Sequence, residues 1–342
     1  MNFRPLAGTI AALAIAGCAQ GTLPSPGAGV SVPSITERTT APKLNFFDLQ
    51  SGGSWPDFIV AGPQHAMWFT EFYLDAIGRI SMDGHLTIFT IPNGDPEGIA
   101  IGPDHNIWYT APGWDQIGRM TPAGKTTVFK IAGSNPSPRG ITLGPDGNMW
   151  YTEFYDGYIG RITPKGAITR FAVPEYESSP WAITTGPDGD LWFTESGADK
   201  IGRFNPTTQA FESSISVPTQ DATPWGILLA PDKHVWFTER TGDKIAEVTS
   251  LRSVKEFAIA QSGSYPEALA PGSDGKLWFT QSQAGTLGRI DPKTGKFGAT
   301  VTLPANSIPN GIAAGPNKNL WFCVDAYDQT NQIGEVATPL SP

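Results

Sequence analysis

A tryptophan followed by a second aromatic residue recurs seven times in the 342-residue chain, at Trp68-Phe69, Trp108-Tyr109, Trp150-Tyr151, Trp192-Phe193, Trp236-Phe237, Trp278-Phe279 and Trp321-Phe322. Successive copies lie 40, 42, 42, 44, 42 and 43 residues apart. Ahead of each pair runs a proline, a variable residue, a small or aromatic residue and an aliphatic one, as in Pro96-Glu97-Gly98-Ile99 and Pro309-Asn310-Gly311-Ile312. Behind it comes Ile-Gly-Arg, as in Ile77-Gly78-Arg79 and Ile159-Gly160-Arg161, which drifts to Ile245-Ala246-Glu247 and Ile333-Gly334-Glu335. A period of this size means that one small unit is copied, and that each copy buries its apolar face only against its neighbours.

The unit reads as four strands. In residues 137–174, GITLG is a short apolar strand and Pro145-Asp146-Gly147-Asn148 a hairpin turn. MWYTE is the second strand, IGRIT the third, and AITRFAV, after the turn at Pro164-Lys165-Gly166, the fourth. With 39 Gly, 31 Pro and only 16% charged residues, the composition suits short strands and tight turns rather than helices. Four antiparallel strands repeated about an axis make a β-propeller blade, so seven copies predict an all-β, seven-bladed propeller. The seventh copy runs out at Ala337 without a fourth strand, while LNFFDLQ at 44–50 precedes the first copy and resembles the fourth strands LTIFTIP and TTVFKIA. The N-terminal strand is therefore expected to complete the last blade and close the ring, which removes exposed edges.

The recurring letters are structural. Each Trp is expected to pack between blades, and the Asp-Gly turns to need a left-handed residue in the Gly147 slot, which His65 and His105 fill elsewhere. All four histidines fall on hairpins, His65, His105 and His234 between strands one and two and His85 between strands three and four, and read as surface turn residues. Cys323 replaces the Thr of Trp-Phe-Thr and reads as a small buried residue.

The N-terminus reads as a targeting segment. Residues 1–17 carry one charge, Arg4, and an apolar run from Leu6 to Ala16 too short to span a bilayer, the form of a secretory signal. Ile15-Ala16-Gly17-Cys18 resembles a bacterial lipobox, which implies cleavage before Cys18 and lipidation of its thiol. Residues 18–42 read as a flexible tether, 43–338 as the propeller and 339–342 as a tail. The expectation is an exported monomer, lipid-anchored in the bacterial cell envelope and touching membrane only through that anchor. A net charge of −9 with no Lys/Arg stripe points away from nucleic acid as a partner.

Propellers use the mouth of the central channel. The slot after the blade-opening proline varies round the ring as Asp57, Glu97, Arg139, Trp181, Trp225, Glu267 and Asn310. A position kept for packing would not hold Asp, Glu, Arg, Trp and Asn in turn. Asp57, Glu97, Arg139, Trp181, Trp225 and Asn310 are therefore candidate ligand-binding residues, with Trp181 and Trp225 expected to stack on a ring-shaped ligand. The end of strand two reads Glu71, Ala111, Glu153, Glu195, Glu239, Gln281 and Val324. Each glutamate has a structural reading, as an acceptor for the next loop, and a functional one, in which neighbours such as Glu195 and Glu239 hold Mg²⁺ or Ca²⁺. The loops beyond add Phe72, Tyr73, Trp114, Phe154, Tyr155, Tyr158 and Tyr327 to an acidic and aromatic face suited to a small-molecule or peptide ligand. No nucleophile elbow, zinc-protease helix, phosphate loop or dinucleotide fingerprint is present, and no organic cofactor is expected.

The complete repeat, Pro-x-Gly-Ile…Gly-Pro-Asp-Gly-x-Leu-Trp-Phe-Thr-Glu…Ile-Gly-Arg-Ile, resembles the streptogramin B lyase (virginiamycin B lyase) family over residues 44–338. The resemblance implies a seven-bladed propeller that opens cyclic depsipeptides by eliminating across an ester C–O bond, aided by Mg²⁺ and a histidine base. That base stands in the family as Pro-His-Gly-Ile in a late blade. Here the late slots hold Trp225, Glu267 and Asn310, and no blade has a histidine there. Glu267 is then the candidate base, provided burial or a neighbouring carboxylate raises its proton affinity. Two functions follow: a ligand-binding propeller at the cell envelope without the family's catalytic histidine, or a metal-assisted carbon–oxygen lyase or hydrolase acting on a cyclic depsipeptide, ester or lactone.

Overall fold

The computed structural model describes residues 42–49, 53–92, 94–175, 177–250, 253–326 and 331–338. The expectations for the leader, for Cys18 and for Tyr327 lie outside these residues. Seven antiparallel sheets follow one another along the chain, each built from strands in the order inner to outer. The third blade shows the pattern, with strands at Pro138–Leu143, Met149–Glu153, Tyr158–Ile162 and Ile168–Ala172. In the fourth blade the outer strand breaks into Ala210–Phe211 and Ile215–Ser216, both paired with the third strand. Among the described residues the helical content is three short 3₁₀ turns, and no described helix is long and apolar enough to cross a membrane.

Closure of the ring is as expected. Leu44–Asp48 pairs antiparallel with Gln332–Val336 and supplies the outer strand of the seventh blade. Phe47 stacks on Trp321 at 5.4 Å, Phe46 meets Phe322 edge-on, and Asn45 donates to Glu335 Oε2 at 2.7 Å.

Each conserved letter of the repeat has a contact. The indole of every blade packs with the strand-two core of the following one, Trp108 with Met149 and Tyr151, and Trp150 with Leu191 and Phe193. The last joint closes the same way, with Trp321 against Met67 and Phe69 of the first blade. In five blades the indole N–H is satisfied by the turn carboxylate four residues earlier, as from Trp150 to Asp146 at 2.9 Å, while Trp68 donates to the Pro63 carbonyl and Trp321 to the Asn317 amide oxygen. The glycine of Ile-Gly-Arg leaves room for the aromatic ring opposite it, since a Cβ on Gly160 would stand 2.1 Å from Tyr151. The hairpin slot expected to be left-handed is so at Gly147 (φ 73°), His65 (54°) and His105 (58°), and also at Lys233 (70°) and Lys318 (67°).

Candidate functional site

Two hydrogen-bond relays carry the chain to the channel mouth. In five blades the strand-two threonine accepts from a strand-one N–H of its own blade and donates to the carbonyl of the next blade's variable slot. Thr110 does this to Arg139 at 2.7 Å, Thr152 to Trp181 at 2.6 Å and Thr238 to Glu267 at 3.0 Å. At the seam between the seventh and first blades Cys323 takes the threonine's place, so no hydroxyl holds the backbone of Asp57 in this way. Aspartates on the loops after strand two brace the segments entering the next blade: Asp115 accepts from Ser137 N at 3.1 Å and Asp199 from Thr223 N at 2.9 Å. The slot side chains are thereby aimed inward on a rigid ring.

All seven slots converge on one cavity of about 300 Å³, together with Trp55, Phe58, Phe72, Tyr73 and Arg240. Its wall is a ladder that passes from blade to blade. Glu97, 3% exposed, is ion-paired with Arg139, whose guanidinium lies 4.9 Å over the ring of Trp181. Trp181 stacks on Trp225 with centroids 3.6 Å apart, and the Arg240 guanidinium lies over the Trp225 ring at 4.8 Å while its Nε donates to Glu267 at 2.8 Å. Each of the two indoles thus packs against the other and against a guanidinium. The expectation that Trp181 and Trp225 stack on a ligand ring gives way to this geometry, because adjacent slots converge near the axis and their indoles meet each other. Trp55, Phe58, Phe72 and Tyr73 offer the cavity its other aromatic surface, and Tyr73 is 63% exposed. Phe154 packs edge-on against Trp181, Tyr158 lies under Arg170, and Trp114 and Tyr155 are exposed on neighbouring loops.

Among the described residues, the side chains of Asp57 and Asn310 in the cavity have polar groups without protein partners, and Arg139 Nε is likewise unpartnered. Asp57 accepts no side-chain hydrogen bond among the described residues, and Asn310 Nδ2 is buried without an acceptor. Burial first, and then the Glu97 and Glu267 carboxylates, hold the Asp57 proton well above the usual carboxylate range. Glu267 stands at the mouth, but its Oε1 already accepts from Arg240 and from Ser282 Oγ at 2.9 Å. Of the cavity's carboxyls, Asp57 is therefore the one that no described side chain engages.

Glu195 and Glu239 do not line the cavity. In a strand successive side chains alternate, so the glutamate shares a face with the aromatic residue two before it and points away from the Trp/Thr face. Glu195 is buried over Gly202 and accepts from Ser214 at 2.6 Å, and Glu239 is buried beside Gly242, its proton raised to about 8 by burial and then by Glu256. Glu153 is held by Arg170, with 2.9 Å from Nε to either oxygen. These separate pockets do not fit one Mg²⁺ or Ca²⁺ shared between Glu195 and Glu239.

Glu71, like Glu239, has a partner for neither oxygen, and burial alone raises its carboxyl to about 7. As pH rises from 4.5 to that value the unfolded chain gives up its proton while the folded chain keeps it. Stability falls through this window and levels off above it. Gln281 shows that the position accepts a neutral amide. Glu71→Gln is expected to flatten the fall by about 2 kcal/mol in urea titrations at either end of the window; parallel pH profiles for the two proteins would contradict it.

The sequence reading missed Arg240. The residue after the strand-two end is Phe72, Pro112, Phe154, Ser196, Arg240, Ser282 or Asp325. The test of variability that found the slots, moved to this position, would have found it.

The fold and the cavity define a seven-bladed propeller with an acidic and aromatic central site. The chain belongs to the virginiamycin B lyase family, whose model matches residues 30–216 and 207–339. The crystal structure of a catalytically inactive virginiamycin B lyase from Staphylococcus aureus with quinupristin is similar at a TM-score of 0.81 and 29% identity, over 87% of this chain and all of that one. Virginiamycin B lyase from Streptomyces coelicolor is 46% identical over 44 residues, 13% of this chain and 15% of that protein. Regucalcin from Xenopus laevis is 28% identical over 85 residues, 25% of this chain and 28% of that protein. The matched stretches thus span less than a third of either curated relative.

Proposed function

We propose that the protein is a ligand-binding propeller whose central cavity takes a small molecule or peptide through a carbonyl oxygen and an adjoining aromatic or apolar surface. The observation that carries this is the unpartnered pair Asp57 and Asn310 in the cavity. A protonated Asp57 is a hydrogen-bond donor, and so is Asn310 Nδ2, so together they ask for an acceptor such as an ester or amide carbonyl. Trp55, Phe58, Phe72 and Tyr73 supply the apolar wall beside them. No histidine lines the cavity, and the four in the chain stand on the hairpins between strands one and two or three and four. The leader and Cys18 extend the proposal to an exported protein held at the cell envelope by its lipid, monomeric and without nucleic acid as a partner.

A second reading, a carbon–oxygen lyase or a hydrolase acting on a cyclic ester, is favoured by the raised proton affinity of Asp57 beside the place a carbonyl would occupy. Quinupristin serves as the probe for both. Calorimetric titration is expected to give saturable binding that weakens at least tenfold in Asp57→Ala, which removes the donor, and in Tyr73→Ala. Equal affinity in the three proteins would put the ligand elsewhere and sink the proposal. Linearised quinupristin detected by mass, and lost in Asp57→Asn, would select the enzymatic reading.

A further inference from the structure

At the strand-one/strand-two hairpin of the fifth blade, Asp232 and His234 from the turn and Glu247 from the third strand bring one oxygen or nitrogen donor each within 4.8 Å of one another. His234 Nδ1 lies 2.6 Å from Glu247 Oε1 and 3.8 Å from Asp232 Oδ2. The Glu247 side chain is 9% exposed and the Asp232 side chain 20%, whereas His234 is open to solvent at 47%.

The other blades explain what this position is for. Glu247 occupies the place of the arginine in Ile-Gly-Arg, which in three other blades brings a fixed cation to the carboxylate of the hairpin turn. Arg203 reaches Asp188 at 2.8 Å, Arg289 reaches Asp274 at 3.6 Å and Arg119 reaches Asp104 at 3.7 Å, each with its guanidinium over the blade's Trp. The seventh blade also has a glutamate here, Glu335, but its turn aspartate has become Asn317. Amide groups of Asn45, Asn317 and Asn319 donate to Glu335 at 2.7–2.8 Å. The fifth blade makes the first change without the second. Asp232 is retained, its Oδ1 accepting from the His234 backbone N–H at 3.0 Å and its Oδ2 from the Trp236 indole at 3.1 Å, and it faces a second carboxylate where the guanidinium would be. Lys255 is the cross-strand neighbour of Glu247, yet its ammonium sits 4.7 Å over the Phe257 ring and forms no ion pair among the described residues.

We propose that Asp232, His234 and Glu247 form a site for a divalent transition-metal ion of the zinc type, which replaces the missing guanidinium and ties strand three to the hairpin. Imidazole nitrogen and carboxylate oxygen are both zinc donors, and three such ligands leave a fourth position to water. Metal–ligand distances of about 2.1 Å in a tetrahedron place donors about 3.4 Å apart. The 3.8 Å separation already suits this, and the 2.6 Å one needs only a small rotation of the exposed imidazole. The site is distinct from the central cavity and independent of what that cavity binds.

The test uses tag-free full-length protein freed of metal by a chelator. Titration with Co²⁺ at pH 7.5 is expected to give visible d–d bands without a near-ultraviolet thiolate band, and Zn²⁺ to displace it with one equivalent and raise Tm. His234→Ala and Glu247→Arg are both expected to weaken Zn²⁺ at least tenfold and to lose the Tm response. The second restores the residue that the blade grammar uses, so its fold is secure. Lys255→Gln and Asp57→Asn are expected to leave the affinity unchanged. Absence of Co²⁺ or Zn²⁺ binding in the wild type, unaltered affinity in His234→Ala, or bands of thiolate character reporting a cysteine would each overturn the proposal.

Discussion

Removal of residues 43–50 is expected to abolish cooperative unfolding, leaving a broad transition or an aggregating chain. The strand at Leu44–Asp48 is the outer strand of the last blade, although it comes first in sequence. Without it the Gln332–Val336 strand presents a bare edge, Trp321 loses the stacked Phe47, and Glu335 loses Asn45. The loss reaches past one blade, because the inter-blade clusters form a circle in which Trp321 packs on Met67 and Phe69 of the first. An open array would tolerate trimming of its end as a sum of local terms, whereas a closed one loses the joint between its first and last units. Circular dichroism melts with and without the segment make the comparison, and a peptide spanning 42–50 should restore the transition when added in trans. A sharp melt within a few degrees of the full chain would contradict closure.

Arg139→Leu is expected to destabilise the protein by about 3–5 kcal/mol, the cost of leaving a buried carboxylate without its counter-ion. Glu97 is 3% exposed and faces Arg139 across the joint between the second and third blades. Burial pushes the Glu97 proton up and Arg139 pulls it down, so removal of the guanidinium leaves burial and the nearby Asp57 unopposed. Trp181 would lose the cation above its ring as well. The double variant Glu97→Gln with Arg139→Leu should recover more than half the loss, since the remaining amide carries no charge. Urea denaturation of the four proteins in the cycle measures the coupling. A cost below 1 kcal/mol for Arg139→Leu, or no recovery in the double variant, would show that the pair is solvated.

The channel ladder illustrates how much of a site a repeat exposes. All seven variable slots were legible as inward-facing because the rest of the frame is constant, and the structure gathers them round one cavity. What the slots do to one another was not legible, since it depends on the separation between blades. Trp181 and Trp225 lie 44 residues apart yet stack at 3.6 Å, so the residues that read as ligand platforms became part of the wall. Arg240 was hidden for a simpler reason: it stands one residue past the inspected position. Glu195 and Glu239 were drawn toward the channel by their place at the end of strand two, while strand alternation, written in the same letters, turns them between blades.

The metal cluster of the fifth blade shows the reverse relation. The drift from Arg to Glu247 and the hairpin His234 were both visible, and each alone reads as a surface change. Only pairing of the first hairpin with strand three, Trp236 opposite Glu247, sets them beside Asp232.

The sequence by itself determined the number of blades, the strands within each, the packing role of the seven tryptophans and the closing partner of the N-terminal strand. Those properties follow from local periodicity and from the need of every copy to bury the same face, and both are written in each repeat. Which carboxyl is left bare was decided by the tertiary structure. Asp57 holds its proton because burial and the Glu97 and Glu267 carboxylates oppose its charge, and no described side chain donates to it. Proton affinity depends on burial and on neighbouring charge, and those are properties of the assembled ring that no single repeat contains.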